Sequence, residues 1–144
     1  MAVTAFLYGS VFAKLANKEI DLDTDTVKVA LCTSAYTPAQ DTHDYFNDIT
    51  NEVTGTGYTA GGATLASKTV TYTAGTNTFT FDAADTSWAS STITARYAVV
   101  YVSTGTAATS PLICYIDFGA DVVSSGAAFT ITWDAAGIFT LTAA

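Results

Sequence analysis

Ile93-Thr94-Ala95-Arg96-Tyr97-Ala98-Val99-Val100-Tyr101-Val102 is the stretch that decides the fold. Past Arg96 it is apolar at every position, which a strand with one wet face would not be. It is rich in valine and tyrosine, which suit extended backbone, so it reads as a central strand covered on both faces. Other strands fall into place on either side of it. In residues 27–33, Val27, Val29 and Leu31 alternate with Lys28, Ala30 and Cys32, the period of two that marks a strand. Downstream, Leu112, Cys114, Ile116 and Phe118 are spaced to share one face of another strand. Val70 and Tyr72 alternate with threonines, residues 74–77 turn, and Phe79 and Phe81 alternate again, which predicts a hairpin. A last hairpin is expected between Phe129, Ile131, Trp133 and residues 138–142. Its turn, Asp134-Ala135-Ala136-Gly137, places a glycine where φ > 0 is needed.

Before the first of these strands, Tyr8, Val11, Phe12 and Leu15 recur at helical spacing within residues 9–17, and Ser10 stands at the N-cap position. There is no βαβ alternation and no repeat of fixed period. The expected architecture is mainly β, an antiparallel β-sandwich or small barrel with a short N-terminal helix, in a single domain over residues 1–144. A domain of this length buries roughly 68–70% of its unfolded surface, enough for a core without metals or disulfides. Val29, Leu31, Val99, Tyr101, Ile116, Ile131 and Trp133 are the expected core. Cys32 and Cys114 fall inside strands and read as buried free thiols.

Charged residues make up only 12% of the chain, against about 25% in ordinary globular proteins. Threonine takes their place, at 27 positions. Fewer ions must lose water when such a surface is covered, so the composition favours being bound by other proteins. Net charge is −8, and the only basic residues are the scattered Lys14, Lys18, Lys28, Lys68 and Arg96. Nucleic-acid binding needs clustered cations, so no nucleic-acid partner is expected. No apolar run approaches the ~20 residues of a membrane span, so no membrane partner is expected either. Residues 1–7 lack a charged leader and a cleavage site, which predicts synthesis in the cytoplasm.

The search for chemistry points away from an enzyme and from any cofactor. His43 is the only histidine, so a zinc site on paired histidines cannot be built, and the cysteines lack CxxC spacing. No serine lies in a G-x-S-x-G elbow. Asp21, Asp23 and Asp25 begin like a calcium loop, but the sixth and twelfth positions hold Thr26 and Cys32 rather than Gly and Glu. An aspartate-rich turn is the simpler reading, with a weak calcium site completed by other loops as the alternative. Gly55, Gly57, Gly61 and Gly62 have no P-loop lysine after them and read as a flexible loop.

Residues 34–62 are irregular, with Pro38 as a breaker and Asp41 placed to cap a short helix carrying Tyr45, Phe46 and Ile49. Long irregular segments in compact domains are often functional. Tyr36, Tyr45, Phe46 and Tyr58 are therefore candidate partner contacts, and folding back onto the core is the competing reading. The start of the chain, with Ala2, Val3 and Phe6, is small and apolar and has no obvious hairpin partner. It is a second candidate contact, as an arm that crosses to another subunit.

Several stretches resemble a family of small virion structural proteins of tailed bacteriophages. They are Leu15-Ala16-Asn17-Lys18-Glu19-Ile20-Asp21 running into Val27-Lys28-Val29-Ala30-Leu31, Ala35-Tyr36-Thr37-Pro38 with Asp41-Thr42-His43, and Gly55-Thr56-Gly57-Tyr58-Thr59-Ala60-Gly61-Gly62. Ala95-Arg96-Tyr97-Ala98-Val99-Val100-Tyr101 and Trp133-Asp134-Ala135-Ala136-Gly137-Ile138 complete the set. The resemblance implies a capsid decoration (cement) protein on the outer capsid surface. Its partners would be the major capsid protein and further copies of itself, a trimer by analogy with other decoration proteins. The alternative is a tail or fibre component, including a host-recognition module. The family carries no catalytic residues to transfer.

Overall fold

The computed structural model describes residues 4–143; Ala2 and Val3 lie outside them. The strands are β1 (Thr4–Leu7), β2 (Val27–Cys32), β3 (Ala63–Thr64), β4 (Thr69–Thr73), β5 (Thr78–Asp82), β6 (Thr86–Val102), β7 (Leu112–Ile131) and β8 (Phe139–Thr142), with one short helix, α1 (Val11–Ala16), after β1. They form a five-stranded sheet in the order β1-β7-β6-β2-β3 and a three-stranded sheet in the order β4-β5-β8. Every pairing between these strands is antiparallel. Both sheets are open, so the expected β-sandwich holds and the closed-barrel alternative does not.

The central-strand reading of residues 93–102 has a direct physical basis. β6 lies between β7 and β2, and from Ala98 to Val102 both of its faces are covered, while Thr94 before Arg96 is still exposed. Ala98, Val100 and Val102 point into the core between the sheets, with Val29, Leu31, Phe81 and Phe139. Val99 and Tyr101 point the other way, into a second cluster closed by Tyr8, Tyr36, Phe46 and Ile49. The first part of the irregular segment, through Ile49, is thus a third layer, whereas Val53 and Tyr58 pack on the other face. Six of the seven expected core residues are buried. Trp133 is half-buried, because its indole Nε1 reaches out to donate to the Ala84 carbonyl at 3.1 Å.

Five local expectations are corrected. The last hairpin does not form: Phe129 pairs with Trp88 and Ile131 with Thr86 on β6, whereas β8 pairs with β5 in the other sheet. Residues 134–137 do turn, with Gly137 N donating to Asp134 O at 2.8 Å, but the turn carries the chain from one sheet to the other. Leu112 does not share a face with Cys114, Ile116 and Phe118. Val100 faces Cys114 and Tyr101 faces Leu112, so Ile113 is the extra residue of a β-bulge, and one extra residue inverts every side chain beyond it. Helix α1 is shorter than residues 9–17, and the Ser10 hydroxyl makes no capping bond. Asp41 caps nothing; a 3-10 turn at Phe46–Asp48 is closed instead by the Asp48 carboxylate, which accepts from the Asp44 and Tyr45 amides at 2.8 and 3.1 Å. Finally, the start of the chain, read as having no obvious hairpin partner, has a strand partner within the chain from Thr4 onward. β1 is an edge strand of the chain's own sheet, paired from Thr4↔Asp117 to Leu7↔Cys114.

Cys32 and Cys114 are buried and free. Cys32 pairs with Tyr97 and Cys114 with Val100, on opposite sides of β6. Two strand spacings and three residues of rise put them roughly 14 Å apart, far beyond disulfide reach.

Candidate functional site

The expected contact residues do not form one surface. Tyr36 is 1% exposed and belongs to the second core cluster, where its ring meets Tyr97 edge-on. Phe46 stacks on Tyr101 at 4.1 Å in the same layer. Tyr58 lies on the opposite face of the five-stranded sheet, against Trp88. Tyr45 is half-buried under the Lys14 ammonium, 3.7 Å from its ring, and its hydroxyl donates to Glu19 Oε1 at 2.5 Å. Phe6 is 36% exposed and stacks on Tyr115 at the sheet edge.

The glycine-rich segment is held, not flexible. Glu52 Oε1 accepts from the Tyr58 hydroxyl and the Gly61 amide, both at 2.6 Å, and Tyr101 donates to the Gly61 carbonyl at 2.7 Å. Tyr58 in turn accepts from the Leu31 amide at 2.9 Å. The loop crosses to β6 through a Thr56–Thr92 bridge and covers the edge that β2 leaves free. Its glycines are there for close backbone approach, not for phosphate.

The aspartate turn is occupied by a side chain of the same protein. Asp21 Oδ1 accepts from the Asp23 and Thr24 amides, and Asp25 Oδ2 from the Asp21 amide. The bonds from Thr24, and after them the Asp23 amide, hold the Asp21 carboxyl below its ordinary pKa. The carbonyls of Leu22, Asp23 and Asp25 converge on the Lys68 ammonium. The turn is thus closed within the chain, its carbonyls on Lys68 and its Asp21 and Asp25 carboxylates on backbone amides. Among the described residues no group of three or more His, Cys, Asp or Glu side chains is arranged to hold an ion. Lys68→Met should leave three half-solvated carbonyls without their donor and lower stability by about 1 kcal/mol, a few degrees in Tm. Thermal melts of the wild type in calcium and in chelator should coincide; a rise with calcium would restore the turn as a metal site.

Other polar groups with chemical potential are also committed. His43 Nδ1 is 2.9 Å from the Tyr36 hydroxyl, which is 2.9 Å from that of the fully buried Tyr8. Arg96 grips Asp117 with two bonds, Nε to Oδ1 at 2.6 Å and Nη2 to Oδ2 at 3.2 Å, across a break in the β6–β7 register. That pairing holds the Asp117 carboxyl below its ordinary pKa. Lys14 bonds the Asp44 carbonyl. Lys14, Lys68 and Arg96 are thus all engaged within the chain. A cleft of about 460 Å3 opens beside β7, lined by Ile116, Phe118, Val122, Phe129, Ile131 and Trp133. The carboxylate at its rim, Asp134, is bound by the Ala136 amide. The cleft offers apolar contact without converging acid–base groups.

The accessible feature that stands out is the small sheet. Thr69, Thr71 and Thr73 on β4 align with Asp82, Thr80 and Thr78 on β5, and Thr80 and Thr78 with Thr140 and Thr142 on β8. The outward face is thus threonine throughout, apart from Asp82. On the inward face Phe81 and Phe139 reach the core, but Val70, Tyr72 and Leu141 overhang it and are 39%, 64% and 38% exposed. Below the overhang a groove of about 480 Å3 is lined by Leu15, Ile20, Val70 and Phe79, with Lys18, Asp21 and Asp23 along its far side from the small sheet's strands. The alternation of threonine with apolar residues in residues 69–73 and 78–81 was the available signal. What it could not carry is that the sheet extends past its support. Comparison with known families, curated proteins and solved structures found no match to this chain.

Proposed function

We propose that this chain is a structural protein of a tailed-phage virion, a capsid decoration protein that binds the outer capsid surface and bridges subunits of the major capsid protein. The observation that carries the reading is the small sheet, whose threonine face and apolar overhang are accessible and whose strands carry one charge, Asp82. Covering it desolvates few ions. Groups able to do chemistry are tied into structural hydrogen bonds, which favours a role based on binding energy. An acidic surface suits the outside of a DNA-filled shell better than the inside. The sequence resemblance supplies the virion context. Bound copies would stabilise the shell by mass action, since they bind the assembled state and not its dissociated parts.

Cryo-electron microscopy of particles carrying the protein tests this. Density repeating with the capsid lattice, at a copy number that scales with it, supports decoration. Density confined to the tail, with few copies, would replace it with the tail or fibre reading.

A further inference from the structure

We infer that β4 is a self-pairing edge, through which two copies of this chain join their small sheets into one six-stranded sheet about a two-fold axis at Thr71. The inference stands independently of the virion reading. β4 is the terminal strand of its sheet, and among the described residues no strand pairs with its outer side. All five of its residues are exposed. An open edge presents a row of backbone donors and acceptors whose natural complement is another strand. Proteins protect such edges with lysine, proline, inward charges or bulges. Thr69-Val70-Thr71-Tyr72-Thr73 has none of these, and its register with β5 runs without a break. Lys68 stands just before the strand, but its ammonium is turned away into the carbonyls of the aspartate turn.

The occupant follows from the pattern and the charge. Antiparallel pairing about Thr71 sets Thr71 against the partner's Thr71, Thr69 against the partner's Thr73, and Val70 against the partner's Tyr72. Every residue then keeps its face: threonine pairs on the outside, and β-branched–aromatic pairs, a favourable cross-strand combination, on the inside. The partner's Tyr72 comes to lie beside Val70, on the side of the groove it shares with Leu15, Ile20 and Phe79. Two copies at −8 repel each other over most of their surface; this edge brings no charge to the axis. A two-fold interface uses one patch twice, so self-complementarity is what it requires. The other strands that end a sheet are less suited. β3 has two residues, β8 has four, and on β1 the Leu7 carbonyl is already bound by Gln40 Nε2 at 2.7 Å.

Single cysteines on the outward face read the register directly. Under mild oxidation Thr71→Cys should give a covalent dimer in high yield, because the axis brings the two residues together. Thr69→Cys and Thr73→Cys should each give no covalent dimer, while the Thr69→Cys/Thr73→Cys double variant should cross-link. Cys32 and Cys114 are buried and do not compete. Thr71→Lys, which sets like charges opposite each other, should shift native mass spectra from dimer to monomer by at least tenfold in apparent Kd, with the circular dichroism and Tm of the monomer kept. Equal cross-linking of all three single variants would overturn the register. Cross-linking of a Thr71→Cys/Thr140→Cys variant in place of Thr71→Cys alone would replace the two-fold with a β4–β8 chain or ring. A wild type that stays monomeric at every concentration, with no cross-link at Thr71, would remove the proposal.

Discussion

Gly62→Ala should be the most damaging small substitution in this protein, costing on the order of 3–5 kcal/mol. Gly62 has φ of +72°, and a Cβ there would lie 1.9 Å from the Val29 carbonyl oxygen and 2.7 Å from the Ala30 Cα. The obstacle is backbone of β2, which has no rotamer to change. Either the loop lifts and Glu52 loses its contacts, or β2 shifts inside the core. Gly75→Ala is the control: nothing lies within 4 Å of its Cβ position. Urea denaturation should place Gly75→Ala within about 0.5 kcal/mol of wild type. If Gly62→Ala behaved the same way, the loop would not be held against β2 as described.

The second large effect is alkaline unfolding. Burial pushes the Cys32 and Cys114 thiols and the Tyr36 and Tyr101 phenols up to about 12. Burial also drives Tyr8 and Tyr58 higher still, aided by the Tyr36 hydroxyl bond in the first case and by the Glu52 carboxylate in the second. The fold holds these groups neutral, whereas the unfolded chain releases their protons from about pH 9 for cysteine and pH 10 for tyrosine. Above those values the native state binds more protons than the unfolded state, so stability falls as pH rises. Below about pH 9 these six groups give no slope; between about 10 and 12 they act together. Tm should drop steeply over that window, and the tyrosinate absorbance of the buried set should rise together with the loss of β-sheet circular dichroism. Full tyrosine titration near pH 10 with the sheet signal intact would show that the rings are not enclosed.

How much of this was legible in the sequence differs by level. Period-two alternation located the interior strands, and the doubly apolar run in residues 97–102 marked the central one, because each position needs a face and the face needs a partner layer. Alternation says nothing about which strand is the partner. Phe129 and Ile131 suit a hairpin with residues 138–142 as well as they suit β6, and the choice is made by how the two sheets stack. The bulge at Ile113 is silent for a similar reason: in a run where Leu112, Ile113 and Cys114 are all apolar, no polar residue marks the slip. Tyr36, Phe46 and Tyr58 read equally as partner contacts or as side chains folding back onto the core, because an aromatic residue in an irregular segment suits both, and the structure packs them against their own chain. For the small sheet, the threonine alternation was plain, while the overhang of Val70 and Tyr72 depends on the length of sheet that the larger sheet supports.

The antiparallel partner of β1 is β7, with Thr4 meeting Asp117, and β8 completes the sheet begun by β4 and β5, Thr78 meeting Thr142 across 64 positions. A chain emerging from the ribosome therefore exposes β1 and the apolar side of the β4–β5 hairpin long before their neighbours are made. Few local contacts exist to hold it meanwhile, since α1 is six residues long. Loop-closure entropy must be met before the distant pairings return anything, so folding should be slow and concerted, on the millisecond-to-second scale of sandwich topologies. During that wait the uncharged β4 edge is exposed to misassociation, so refolding yield should fall as protein concentration rises.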